Sequence, residues 1–409
     1  SCNSLGVTDT ADNLARMFRT SDGTIYLASN HYPYDYLSIV GDPHNVNTFQ
    51  RQCAQPGFLG YTLNPSQWDQ YNQRNWIWST YTENGTDIYG LLHTEYHDPS
   101  NVAAAPGCYS GALNLCVYYS ITAAKATYVP GQPLQFNNNL YSPTAHGHVV
   151  ATIPRAWPAP VTTYENGGPP RFGQATPSNI VKIGSYYYAT HDSIVKSNTN
   201  RDHGACIMRT NNLSDPDSWR YLKWVDTSFS KEGPINDPDI FKDYSGLLIG
   251  PRSSWNLDLL FTQPKTIVTN PADPNNTNVD LRCGIIDWRN RVGGQSSITY
   301  NTVINKYFQV FALVNGLTGV SDYCQFWYSV SPDLLNWSKP QILPNGNPSG
   351  SPNCGWGEVY PSIIDADDTS LNFSNSGANP YIYFTQGVGP TAYYSDLKRR
   401  RLNISCPNC

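Results

Sequence analysis

His93, Glu95 and His97 occupy alternate positions in the segment LLHTEYH. If that segment is a β-strand, alternation projects all three side chains from one face. Two imidazoles and a carboxylate so placed can hold a divalent cation near His93 and His97, or bracket a sugar hydroxyl with Glu95 as acid or base. A helical zinc-protease motif is excluded, because it needs His at i and i+4. The plain structural alternative is a polar strand end bonded to neighbouring loops. Glu358 follows Trp356 in WGEVYPSI. An acid beside an indole is desolvated, which raises its pKa toward the range useful for proton donation. Paired with Glu95, it would supply the two carboxyl groups of glycoside hydrolysis. Arg16 lies in the apolar segment LARMFR, where a charge is costly unless paired or facing a channel. It either contacts a substrate or pairs with Asp12 or Glu358. His191 ends the Tyr-rich segment SYYYATHD as a further contact residue, and Trp76, Trp78 and Trp356 can stack on a sugar face.

The elements that must position these groups are strands. Helical periodicity is almost absent, and a meander recurs instead: an apolar strand, a turn, a Tyr-rich strand, and a strand ending in a turn like SDPDSW or PDLLNW. Copies begin near residues 13, 76, 175, 297 and 358. Long Asn-, Pro- and Gly-rich connections at 136–174 and 226–296 make the spacing uneven. One four-stranded sheet cannot bury both faces, so the copies are expected to pack radially as a single five-bladed β-propeller of four-stranded antiparallel blades. Six blades is the alternative, if 226–296 forms its own sheet. Composition agrees: 13% of residues are aromatic and Gly and Pro number 31 each, too aromatic for disorder and too rich in breakers for a helical bundle. With 31 acidic and 26 basic residues, the net charge of −5 offers no field for nucleic acid phosphates. No apolar run of about 18 residues reads as a membrane span.

The ten cysteines are scattered, without the two close pairs of a zinc module, so disulfides with no free thiol are expected. Cys108 to Cys116 is the expected local bridge. Sequons begin at Asn84, Asn212, Asn275, Asn336, Asn372 and Asn403. Together these features predict a secreted, extracellular glycoprotein, with Ser1-Cys2 as a processed start. Cys2 near Cys406 or Cys409 would lock the ring shut.

Several segments carry a resemblance: DNLARMFRTSDGTIYLAS, LLHTEYH, PSNIVKIGSYYYATHD, CIMRTNNLSDPDSWR, YSVSPDLLNWSKP and VYPSIIDADDTSLNF. The chain resembles a family of uncharacterised secreted β-propeller proteins, distantly related to five-bladed glycoside hydrolases such as arabinanases, xylosidases and invertase-like enzymes. That wider group implies three carboxylates around the propeller axis. Asp12, here without the usual following Pro, matches the base or nucleophile of the first blade. Glu358 matches the general acid of a late blade, and INDPDIFKD, with Asp237 and Asp239, is similar to the strand of the tuning Asp.

Two classes of function follow. One is a carbohydrate-active protein that cleaves or binds a glycan or polysaccharide at the mouth of the propeller. The other is a non-catalytic structural or adhesion glycoprotein that self-associates. No Gly-x-Ser-x-Gly elbow and no nucleotide-binding glycine loop occurs.

Overall fold

A computed structural model describes residues 2, 10–29, 31, 35–59, 71–97, 117–138, 147–152, 171–194, 203–222, 261–262, 296–312, 326–334, 337–338, 341–343, 358–387 and 395–406. Among these residues the fold is all-β, with short 3-10 turns and no α-helix. Cys108, Cys116, Asp237, Asp239, Asn275, Asn336, Trp356 and Cys409 lie outside the described residues.

The first sheet is the antiparallel meander β1 (Arg16–Arg19), β2 (Ile25–Ala28), β3 (Leu37–Val40) and β4 (Phe49–Arg51). A large second sheet begins with β5 (Phe58–Leu59), β6 (Arg74–Thr82), β7 (Asp87–His97), β8 (Val117–Thr127), β9 (Phe136–Asn137) and β10 (Val149–Ala151). It continues through β11 (Arg171–Ala175), β12 (Val181–Ile183), β13 (Tyr186–Ile194), β14 (His203–Thr210), β15 (Arg220–Leu222) and β16 (Phe261–Thr262). The third sheet is β17 (Ser296–Asn301), β18 (Lys306–Ala312), β19 (Phe326–Ser331) and β20 (Gln341–Ile342). The fourth opens with β21 (Glu358–Ile364); after it β22 (Asn375–Ser376) crosses to pair in parallel with β17, and β23 (Tyr381–Gly387) and β24 (Ser395–Arg401) complete it.

Separate copies of four strands are not what pairs in the middle of the chain. β11 joins β8 in parallel, with Gly173 opposite Tyr119, and fuses two meanders into one sheet. The approach is possible because residue 173 lacks a side chain. A Cβ there would lie 2.0 Å from the Tyr119 carbonyl oxygen, and its φ of +131° is one that glycine tolerates. The connection 136–174 thus contributes β9, β10 and β11, and β16 lies within 226–296.

Strands rich in aromatic and β-branched residues, such as RNWIWSTYT and VYYSITAAKAT, bury both faces because each sheet packs between two others. Phe18, Ile77 and Phe136 fill the space between the first and second sheets. Leu91, Ile121, Met208 and Trp219 join the two halves of the second. Val181, Ile207 and Ile298 connect the second sheet to the third, and Phe308, Ile363 and Phe384 the third to the fourth. Met17, Leu27, Ile364 and Tyr383 then pack the fourth sheet against the first. Each fully buried side chain of this size contributes about 1.5–3 kcal/mol. Polar contacts follow the same sequence, from the Asn13 amide on the Ile77 carbonyl at 2.7 Å to the Arg19 N–H on the Leu371 carbonyl at 2.7 Å.

The recurrent turn has a defined chemistry. Asp215 caps the short helix before Trp219 by accepting from the Asp217 N–H, and Ser218 Oγ donates back to the Asn212 and Asp215 carbonyls at 2.8 and 2.6 Å. Asn45 and Thr48 repeat this arrangement before Phe49 in the first sheet.

The expected closure through Cys2 is corrected. Cys2 bonds to Cys53, within the part of the chain that builds the first sheet, so it cannot reach Cys406 or Cys409. Cys206 and Cys406 are also disulfide-bonded, and no free cysteine occurs among the described residues.

Candidate functional site

The side chains that converge come from the segment before β1 and from β6, β7, β8 and β21. His93 and Glu95 share a face of β7, and His93 Nε2 lies 3.0 Å from Glu95 Oε1. The Thr176 N–H donates to His93 Nδ1 at 3.3 Å. Since Nδ1 accepts, the ring proton sits on Nε2 and is donated to Glu95. Both nitrogens are therefore engaged, which leaves no lone pair for the cation considered near His93 and His97. Among the described residues, no cluster of three or more metal-ligating groups occurs. His97 closes β7, but its side chain is outside the described ones.

His93 is walled by aromatic rings: Trp78 at 5.0 Å, Tyr119 at 5.3 Å and Trp76 at 5.6 Å between centroids. A bulge between Ile77 and Ser79 inserts Trp78 into β6. Asp12 is tied to the same cluster through Tyr360, whose ring packs edge-on to Trp78 at 5.5 Å. Tyr360 Oη donates to Asp12 Oδ1 at 3.1 Å, and His31 Nε2 lies 3.4 Å from Asp12 Oδ2. The Asp12 side chain retains 37% exposure, so it lines a surface that solvent reaches. Burial by the surrounding protein raises its pKa. His31 opposes the rise, the Glu95 charge adds to it, and hydrogen bonding by Tyr360 and Trp76 opposes it; the net direction is upward. Asp12 thus feels the charge of Glu95.

A third acid, Asp35, is wholly buried nearby. Burial pushes its carboxyl well above the usual range and Asp12 adds to the rise, while the Ile77 N–H and Arg51 pull the other way.

Backbone strain concentrates here. Among the described residues, seven non-glycine residues have positive φ, and three of them flank this cluster: Asp35 at +44°, Thr176 at +50° and Tyr360 at +59°. Each costs on the order of 1–3 kcal/mol, and such conformations gather where a site requires them. Thr176 is β-branched and so among the least tolerant. Its strained backbone aims the N–H at His93, while its hydroxyl donates to Asp192 at 3.1 Å.

Several expected site residues lie elsewhere. Glu358 is paired with Arg400 of β24 and is only 4% exposed. Burial raises its pKa and Arg400 opposes the rise. The reason is local: β21 bulges between Val359 and Ser362, and the left-handed backbone of Tyr360 breaks the alternation that would set residues 358 and 360 on one face. Tyr360, not Glu358, reaches Asp12. Among the described residues, Arg16 contacts no carboxylate. It donates to the Trp78 and Ser296 carbonyls at 3.0 Å each, to Ser362 Oγ at 3.1 Å and to the Ala15 carbonyl at 3.3 Å. Burial pulls its pKa down to about 9, so it remains charged at neutral pH. Arg16 ties β1, β6, β17 and β21 together. His191 is 2% exposed in β13, and burial drops its pKa to about 3, so it is a neutral core residue.

His31, Asp35, Tyr119, Thr176 and Tyr360 were not legible as site residues. His31 and Asp35 come from the stretch between β2 and β3, and only its density of His, Tyr and Asp marks it in SNHYPYDY.

Of the sequons, Asn84, Asn212 and Asn403 are exposed. Asn84 Oδ1 accepts from the Thr86 and Asp87 N–H groups at 2.8 Å each, and Asn212 Oδ1 accepts from the Ser214 N–H at 3.1 Å. Asn372 differs: its Oδ1 accepts from the Thr82 N–H at 2.7 Å and its Nδ2 donates to the Thr82 carbonyl at 2.8 Å.

No family model matches the chain, and no curated protein matches it. Solved structures of low identity do align along most of its length. The GH43_1 enzyme of Xanthomonas citri, solved with xylotriose, is 10% identical over 96% of this chain and 87% of its own, with a TM-score of 0.44. A family 117 glycoside hydrolase of Zobellia galactanivorans is 8% identical over 96% and 84%, with a TM-score of 0.46. A levansucrase variant of B. megaterium is 11% identical over 97% and 83%, with a TM-score of 0.44. Likeness at this level carries no argument about activity.

Proposed function

We propose that the chain is a secreted five-bladed β-propeller that takes a glycan at the mouth of the ring and hydrolyses it with Asp12 and Glu95 as the carboxyl pair. The observation that carries this reading is the electrostatic coupling of Asp12 to Glu95 beside the aromatic cluster of His93, with Asp12 partly exposed and its pKa raised by burial and by its neighbour's charge. A carboxyl group whose pKa is raised can hold the proton that a general acid must give. In this reading Asp12 donates its proton to the glycosidic oxygen as the C1–O bond breaks. Glu95, oriented by the His93 N–H, serves the opposite side of the sugar, as base toward water or as nucleophile according to the carboxylate spacing. Trp76, Trp78 and Tyr119 supply the aromatic wall.

The ring reading is supported by the hydrophobic clusters that pass from sheet to sheet and return from the fourth to the first, and by the four-way tie of Arg16. Blade starts near 13, 76, 175, 297 and 358 remain part of this proposal, as do insertions at 136–174 and 226–296. Secretion is supported by the absence of free thiols among the described residues and by the exposed sequons.

A glycan array and a chromogenic-glycoside panel, run with the wild type and Glu95→Gln, test the proposal. Hydrolysis by the wild type that is lost in the variant with unchanged melting temperature is expected. Binding without any hydrolysis would leave a glycan-binding protein, and neither binding nor hydrolysis would favour the structural or adhesion alternative.

A further inference from the structure

A cleft of about 390 Å³ opens between the first sheet and the loop after β8. Leu37, Ile39 and Leu134 supply its apolar lining, together with Tyr26 and Tyr128. The polar residues of the lining are Asp22, Thr24, Gln52, Gln55 and Gln132, with the Gln52 amide also reaching the Gln50 carbonyl at 3.5 Å. Asp22 is pinned in place: Tyr128 Oη donates to Oδ2 at 2.5 Å, while the Thr20 hydroxyl and the Thr24 N–H donate to Oδ1 at 2.8 and 3.0 Å. These donors hold its pKa below the usual carboxylate range, so it is an ionised acceptor.

The segment around Cys53 is also held rigidly. Gln52 and Gln55 flank Cys53, whose disulfide partner Cys2 is fully buried. The Gln52 N–H donates to the Leu37 carbonyl at 2.9 Å, and the Gly57 carbonyl accepts from the Phe136 N–H at 2.7 Å. Preorganisation of this kind lowers the cost of binding.

Among the described residues the lining includes no Lys, Arg or His, so none of them compensates an anion brought beside Asp22. Three carboxamides offer donors and acceptors together, and the carboxylate adds acceptors. A pyranose matches this pattern: its hydroxyls both donate and accept, and its C–H face suits the apolar lining. The volume falls within the range of about 300–1,000 Å³ of small-molecule sites. Asp12 precedes β1 and Asp22 lies in the turn after it, so the cleft and the Asp12–Glu95 hollow lie toward opposite ends of that strand.

We propose that this cleft is a second saccharide site, which binds a neutral sugar residue of a glycan and anchors the chain to it. The proposal does not require that the Asp12–Glu95 hollow be catalytic.

Saturation-transfer NMR titrations with xylotriose, maltotriose and galactotriose as neutral probes, trigalacturonate as an anion and spermidine as a cation test it. They are run on the wild type, on Gln52→Ala/Gln132→Ala and on Asp12→Asn. At least one neutral trisaccharide should bind at millimolar concentration. Loss of two side-chain hydrogen bonds should weaken it about five-fold or more in the double variant, with unchanged melting temperature. The same binding should persist in Asp12→Asn. The proposal is overturned if no neutral probe binds, if only trigalacturonate or spermidine binds, or if the double variant binds as well as the wild type. Binding that disappears in Asp12→Asn alone belongs to the other hollow and also overturns it.

Discussion

Replacing Tyr360 with Phe removes one oxygen from the candidate site. The hydroxyl donates to Asp12 Oδ1 at 3.1 Å and is one of the groups that lower the Asp12 pKa against the effect of burial. Without it, the Asp12 pKa must move further upward. A hydrogen bond to a charged group is worth about 1.5–3 kcal/mol. The Asp12 side chain is 37% exposed, so solvent replaces part of that, and a loss of about 1 kcal/mol at neutral pH is expected. The sign with pH follows from the raised folded-state pKa. Between its unfolded and folded values the native protein holds the proton more tightly, so Asp12 favours folding at acid pH, and this contribution is lost as pH rises through the folded pKa. The Tyr360→Phe deficit should therefore be largest at neutral pH and shrink in acid. Carbon-detected NMR titration of the Asp12 carboxyl, with urea unfolding at both pH values, reads both effects. An Asp12 midpoint that stays put or falls, or a deficit that grows in acid, would refute the reasoning.

Arg16→Ala should cost about 3–5 kcal/mol in denaturant unfolding, because it strips donors from the Trp78 and Ser296 carbonyls in the interior; a loss below about 1 kcal/mol would show that Arg16 does not tie the sheets. Arg400→Gln leaves Glu358 buried without its cation, so about 3 kcal/mol should be lost at neutral pH. That loss should lessen in acid, because burial already raises the Glu358 pKa and protonation removes the stranded charge; the same unfolding series at two pH values checks it. If the chain is secreted through a glycosylating pathway, peptide mapping should find sugar on Asn84 and Asn212 and none on Asn372, whose amide is held against the Thr82 backbone. Occupied Asn372 would mean that this contact does not form.

Local pattern made the strands and the recurrent turn legible in sequence. Alternation in LLHTEYH places His93 and Glu95 on one face, and the SDPDSW turn reappears as the Asp215 cap with Trp219 buried beneath it. What was not legible depends on backbone irregularity and long-range contact. The bulge in β21 turns Tyr360 toward Asp12 and leaves Glu358 to Arg400, whereas a regular strand would have set residues 358 and 360 on one face. Arg16 finds backbone carbonyls on strands more than sixty residues away, which no spacing within LARMFR reports. The fusion of β8 with β11 hinges on Gly173, one among 31 glycines, and nothing in the local pattern distinguishes it.

The most direct test of the proposed mechanism compares initial hydrolysis rates of the wild type, Asp12→Asn, Glu95→Gln and Glu358→Gln on the best glycoside from the panel. Loss of a general acid or base should slow the reaction about a hundred-fold or more in Asp12→Asn and Glu95→Gln, while Glu358→Gln keeps the rate of its folded fraction. Activity that survives in Asp12→Asn but disappears in folded Glu358→Gln would contradict the assignment of Asp12 and Glu95 as the carboxyl pair.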